Sequence, residues 1–133
     1  MKIDKTNDEW KEILPADVYH VTRECGTERA FSGKYDKFYV DGQYYCINCQ
    51  NYLFDSKDKF DSGTGWPSFS GTANKESVTL HEEKGNLIIP DRIEVKCARC
   101  QAHLGHVFND GPQPSGLRYC MNSVALDFKP EKE

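Results

Sequence analysis

Little in the sequence would tie the chain to a nucleic acid or a membrane. Lysine and arginine number 17 against 21 acidic residues, a formal charge of -4. That balance predicts no basic face for a phosphate backbone, which binds mainly through such cations. Nowhere does an apolar run approach the roughly 20 residues needed to span a bilayer. The opening Met1-Lys2-Ile3-Asp4-Lys5 leads into acidic sequence rather than a signal-peptide core. A soluble, unexported, cytoplasmic protein is therefore expected, with no nucleic-acid or membrane partner. Nothing suggests an obligate interface, so a monomer is expected. Internal repeats are missing apart from paired cysteines. The 133 residues, 38% hydrophobic and 12% aromatic, suit one core and thus a single domain over 1–133, with 1–5 and 129–133 expected to fray.

What is present changes in texture along the chain. Thr6-Asn7-Asp8-Glu9 has the form of a capping box, in which hydroxyl and carboxylate satisfy each other's backbone N–H, and predicts a helix to Leu14. Pro15 suits the start of a second, with Val18, Tyr19 and Val21 inward and Gly26 as the stop after Cys25. From Phe31 onward, short runs of Tyr, Phe, Val and Ile broken by Gly, Asn, Asp and Pro mark an antiparallel β domain. Candidate strands are 43–47, 77–82, 87–97, 103–108, 117–121 and 124–128, with a break or bulge at Pro90.

Six cysteines in a reducing compartment point to metal ligands or reactive thiols rather than a disulfide framework. Cys46-Ile47-Asn48-Cys49 and Cys97-Ala98-Arg99-Cys100 are two Cys-x-x-Cys knuckles roughly fifty residues apart. Two such knuckles can close a tetrahedral four-sulfur zinc site, and a complete protein ligand set leaves no position for water or substrate. One structural zinc ion is the favoured expectation; redox dithiols and an iron–sulfur cluster compete, but neither pair has the strand-to-helix setting of a thioredoxin-like motif.

Cys120 lies outside both knuckles, in Arg118-Tyr119-Cys120-Met121-Asn122-Ser123. Alternation along a strand points Arg118, Cys120 and Asn122 one way and Tyr119 and Met121 the other. A guanidinium beside a thiol favours the nucleophilic thiolate; equally, Cys120 could be a small buried hydrophobe. Upstream, His103-Leu104-Gly105-His106-Val107-Phe108-Asn109-Asp110 offers two imidazoles and a carboxylate, groups that move protons near neutral pH. Asp110 could also simply begin the following turn. Trp66 and Phe69 stand in a Gly- and Ser-rich stretch, where Trp66 with Phe69 or Phe108 could box a methyl or thioether group, or the rings could pack on the core. Cys25 is either inert or a resolving thiol.

Together these residues resemble the methionine-R-sulfoxide reductases, the MsrB family. The resemblance runs from about Trp10 to Phe128 through Gly26-Thr27-Glu28, Phe31-Ser32-Gly33, both knuckles, Asp61-Ser62-Gly63, Gly65-Trp66-Pro67-Ser68-Phe69, the His103–Phe108 motif, Asp110-Gly111-Pro112 and Arg118-Tyr119-Cys120 with Asn122-Ser123. It implies two antiparallel sheets with short N-terminal helices, a structural zinc on Cys46, Cys49, Cys97 and Cys100, and Cys120 as nucleophile. It also implies that His103, His106 and Asn122 orient and help protonate the sulfoxide oxygen, that Trp66 receives the methyl, and that Arg118 and Asp110 support the site. The substrate would be methionine-R-sulfoxide in peptides or proteins, and Cys120 would be left as a sulfenic acid. Many members carry a resolving cysteine where Thr64 stands here. Cys25 is the remaining thiol for that role, with thioredoxin reducing the resulting disulfide.

Two rivals belong to other classes. A zinc-stapled module that binds another protein would need the knuckles but not the polar face around Cys120. A thiol peroxidase would also pass through a sulfenic acid but has no use for an aromatic methyl box.

Overall fold

In the computed structural model, residue 3 and residues 5–131 are described; residues 1, 2, 4, 132 and 133, part of both ends expected to fray, lie outside the described residues. Helix α1 (Asn7–Ile13) starts on the predicted capping box, with Glu9 N–H donating to Thr6 Oγ1 at 3.2 Å and Thr6 N–H to Glu9 Oε1 at 2.9 Å. Its inward residue, Trp10, is buried beneath Arg23 of helix α2 (Ala16–Glu24). The side that α2 buries is Val18, Val21 and Thr22, with Tyr19 only half-buried. The left-handed residue that ends α2 is Cys25 (φ 58°) rather than the expected Gly26.

Among the described residues, nine strands form two antiparallel sheets. Strands β1 (Gly42–Cys46), β2 (Tyr52–Asp55) and β9 (Leu126–Pro130) make a three-stranded sheet in the order β2-β1-β9. The larger sheet contains β3 (Lys59–Phe60), β4 (Ser68–Phe69), β5 (Val78–Glu83), β6 (Arg92–Cys97), β7 (His103–Phe108) and β8 (Arg118–Met121), in the order β3-β4-β8-β7-β6-β5. An aromatic seam joins the sheets: Phe54 of β2 stacks on Phe69 of β4 at 4.4 Å between centroids, Tyr44 of β1 meets Phe69 at 5.1 Å, and Phe54 meets Tyr119 of β8 at 5.8 Å. Such offset and edge contacts add to the apolar burial of these rings. The fold is thus the expected mainly β single domain with short N-terminal helices.

Four further details depart from the sequence-based expectation. β2, β3 and β4 are absent from the candidate strands, because four- and two-residue strands carry almost no periodic signal. β6 begins at Arg92, not residue 87: Asn86 Oδ1 accepts the N–H groups of Ile88 and Ile89, both at 2.8 Å, turning the Leu87-Ile88-Ile89 run into an exposed hairpin loop. A 3-10 turn at Ser123–Ala125 delays β9 to Leu126. β9 then continues through Lys129 and Pro130, which pair with Gln43 and Gly42 instead of fraying.

Candidate active site and metal centre

Each cysteine knuckle is a tight turn closed by the same backbone bonds. Gln50 N–H donates to Cys46 O at 2.8 Å and Gln101 N–H to Cys97 O at 2.9 Å, with Gln50 and Gln101 both left-handed (φ 67° and 63°). The turns bring the sulfurs of Cys46, Cys49, Cys97 and Cys100 within 4.8 Å of one another. Across the knuckles, Cys46 Sγ to Cys100 Sγ and Cys49 Sγ to Cys97 Sγ are each 3.6 Å. A tetrahedron of zinc–sulfur bonds of about 2.3 Å has edges of about 3.8 Å, so the four thiols fit a zinc ion with little adjustment. The centre ties β1 to β6 and to the turn that follows it.

The second site is built on strand register. Ser68, Cys120, His106 and Glu94 stand directly opposite one another across β4, β8, β7 and β6. Opposed residues of an antiparallel sheet share a face, so register alone lines the thiol up with an imidazole and a carboxylate. On the other face Phe69, Tyr119 and Val107 enter the core. Gly105 is required where β7 passes β8, because a Cβ there would run into the Cys120 carbonyl.

Cys120 opens into a depression of about 130 Å³ whose walls include Trp66, His106, Phe108, Asn122, Thr27 and Arg92. Trp66 is aimed by its own loop. Gly65, left-handed at φ 94°, passes so close to Ala30 and Phe31 that a Cβ would lie 2.8 Å from both, and Trp66 Nε1–H donates to Glu28 O at 3.0 Å. Asn122, one residue beyond β8 and 3% exposed, accepts from Glu28 N–H through Oδ1 at 2.9 Å and donates through Nδ2 to Leu104 O at 3.1 Å. One residue, Glu28, therefore fixes both Trp66 and Asn122 by its backbone.

Electrostatics set the resting state of the thiol. Burial pushes the Cys120 pKa up, and the nearby Arg118 cation and Thr64 hydroxyl pull it back only in part. Arg118 is shared with Asp110, which accepts from Nε at 2.8 Å and Nη2 at 3.1 Å while the guanidinium lies 4.3 Å over the Phe108 ring. His106 is half-buried, and burial lowers its pKa against the opposing pull of Glu83, whose Oε1 is 2.9 Å from Nε2. Glu83 also pairs with Arg92 at 3.2 Å.

Cys120, His106, Asn122, Trp66 and Phe108 line one depression. Others do not. Phe69 is 0% exposed and stacked in the aromatic seam, so its place is in the core and not against a substrate. His103 is buried behind the depression, its Nδ1 2.7 Å from Glu94 Oε2 and its ring 5.4 Å from that of His106. Cys25 lies beside Glu94, 3.7 Å from Oε2, two strands away from Cys120 along the register row. Glu28, Glu83, Arg92 and Glu94 carry no local sequence signal for these roles beyond Glu28's place in Gly26-Thr27-Glu28, since register and chain crossing bring them in.

The architecture defines a class: a β domain with four cysteines gathered so that they could hold a metal ion, and a separate half-buried thiol in a pocket walled in part by aromatic rings. The sequence matches the SelR domain over residues 14–130. A peptide methionine sulfoxide reductase MsrB of Pseudomonas syringae is 55% identical over 129 residues, covering 97% of each chain. One from Pseudomonas fluorescens is 53% identical over 131 residues, 98% of each. One from Methanosarcina mazei is 50% identical over 132 residues, 99% of this chain and 93% of that protein. The chain belongs to the MsrB family.

Proposed function

We propose that the protein reduces the R epimer of methionine sulfoxide, in peptides and proteins, with Cys120 as the nucleophile. The observation that carries this is one half-buried thiol in a depression walled by both aromatic side chains, Trp66 and Phe108, and polar ones, His106 and Asn122. A sulfoxide needs both, because its methyl is apolar and its oxygen must gain a proton before the sulfur accepts a nucleophile.

Cys120 rests as the thiol, as its raised pKa requires. Its proton passes toward the sulfoxide oxygen, through His106, as its sulfur attacks; oxygen ends on Cys120 as sulfenic acid and methionine leaves. The balance is thiol plus sulfoxide giving sulfenic acid plus thioether. His106, held neutral near pH 7 by its lowered pKa, can take and return that proton. Asn122 orients the oxygen, and His103 acts on His106 from behind. Arg118, anchored by Asp110, tempers the burial penalty on the thiolate.

Cys25 condenses with the sulfenic acid, releasing water and leaving a Cys25–Cys120 disulfide that thioredoxin reduces. A disulfide needs Cα atoms within about 7 Å, so the segment between Cys25 and Glu28 must move toward β8. Zinc held by Cys46, Cys49, Cys97 and Cys100 takes no part in the chemistry and supplies folding energy. The protein works as a cytoplasmic monomer.

Chromatographic assay of each sulfoxide epimer in a peptide, with excess dithiothreitol, tests the reaction. Loss of the R epimer alone, abolished in Cys120→Ser, supports it; consumption of neither epimer by folded protein refutes it. Cys25→Ser turning over fully with thioredoxin would refute the resolving step alone.

A further inference from the structure

One cluster of ligand-type side chains gathers Cys25 and His103 around Glu94, a buried carboxylate to which that reaction gives no role. Cys25 Sγ is 3.7 Å from Glu94 Oε2, which in turn is 2.7 Å from His103 Nδ1. The three side chains offer donor atoms that all lie within 4.8 Å of one another. Glu94 and His103 are buried, 7% and 2% exposed, whereas Cys25 reaches the surface. His103 Nε2 is buried with no hydrogen-bond partner among the described residues. The charges facing Cys25 are Glu94 and Glu83 against Lys96, a negative surplus at the thiol.

We propose that Cys25, Glu94 and His103 form a second metal site, for a divalent ion of the zinc class, separate from the four-cysteine centre and open to solvent at Cys25. A donor set of sulfur, nitrogen and oxygen suits zinc or cobalt and not magnesium or calcium, which take oxygen alone. In a tetrahedral site with bonds of about 2.3 Å to sulfur and about 2.0 Å to oxygen, those two donors sit about 3.5 Å apart, close to the 3.7 Å found. The oxygen and nitrogen donors would sit about 3.3 Å apart, so replacing the proton between Glu94 and His103 with an ion widens their contact by about 0.6 Å. Side-chain rotation supplies that. Three protein donors leave the fourth position to water, which makes the ion exchangeable where the four-cysteine ion is not. A bound ion would also occupy the Cys25 sulfur, so metal and disulfide formation compete for one thiol; this consequence rests on the resolving role proposed above.

The test is anaerobic titration of the zinc-loaded protein with cobalt(II), reading thiolate-to-cobalt charge-transfer absorption while zinc and cobalt contents are measured. One further ion per chain is expected, with its thiolate band lost in Cys25→Ser, its affinity lowered at least roughly tenfold in Glu94→Gln, which keeps the side chain's shape, and its band unchanged in Cys120→Ser. No uptake beyond the first ion overturns the proposal, as does a band matched by released zinc, one that survives Cys25→Ser, or one that disappears with Cys120→Ser. Because Cys25→Ser under thioredoxin reports the resolving step separately, failure of the metal site and failure of the resolving role are distinguishable.

Discussion

Replacing Asn122 with alanine isolates the contribution of a single buried amide to the pocket. The side chain is 3% exposed and holds two partners, Glu28 N–H and Leu104 O. Leu104 O keeps a second donor, the Asn122 backbone N–H at 2.9 Å, so the loss falls on Glu28 N–H. Leaving a fully buried donor unpaired costs about 1–3 kcal/mol, an upper range for this part-buried N–H. That range caps the expected loss of unfolding free energy, read as a lower urea midpoint with an unchanged slope. The same Glu28 peptide segment accepts the Trp66 indole N–H, so the methyl-binding ring should loosen as well. If the full 1–3 kcal/mol is also lost in the transition state, kcat/KM for a sulfoxide peptide falls roughly 5- to 150-fold. The paired assays are urea unfolding and steady-state kinetics on the same preparations. A variant with wild-type midpoint and wild-type kcat/KM would refute the claim that Asn122 and Glu28 together build the pocket.

Other perturbations probe the rest of the site. Stripping metal from the four cysteines should unfold the domain, since structural zinc supplies about 10–16 kcal/mol against a total stability of about 5–15 kcal/mol; circular dichroism unchanged after verified metal removal would contradict this. His106 has a lowered pKa, so it stabilises the folded state above the ordinary imidazole value of about 6.5, and that contribution is lost as pH falls from there toward its lower folded value. His106→Gln should accordingly flatten the decline of the urea midpoint on the acid side, and an unchanged decline would refute the assignment. Thr64→Cys sets a second thiol near Cys120, because the native Thr64 side chain lies near enough to influence that sulfur. A disulfide between the introduced thiol and Cys120 should then form after one turnover and make Cys25 dispensable, as disulfide mapping of the double variant with Cys25→Ser would show.

The parts of the site legible in the sequence are those set by short spacing. Two intervening residues fix each cysteine knuckle, alternation places Cys120 opposite Tyr119 and Met121, and the Thr6 capping box marks the start of α1. Register is not legible. Glu94 stands opposite His106 only because β6 pairs with β7 in one particular alignment, and Glu83 reaches His106 from an edge strand. Phe69 reads as a loop aromatic because Pro67 precedes a strand of only two residues, yet pairing with β8 turns its ring into the core. Leu87-Ile88-Ile89 reads as strand because local apolar composition cannot register the Asn86 side chain that bends them outward. Tertiary placement overrides propensity most in such short segments.

Cys120 as the attacking sulfur is tested most directly by a single turnover with the Cys25→Ser protein, methionine-R-sulfoxide peptide and no reductant, followed by trapping with a sulfenic-acid reagent and peptide mapping. One methionine should form per chain, with the trapped modification on Cys120. Methionine formed without modification of Cys120, or with the modification on another cysteine, would contradict that role.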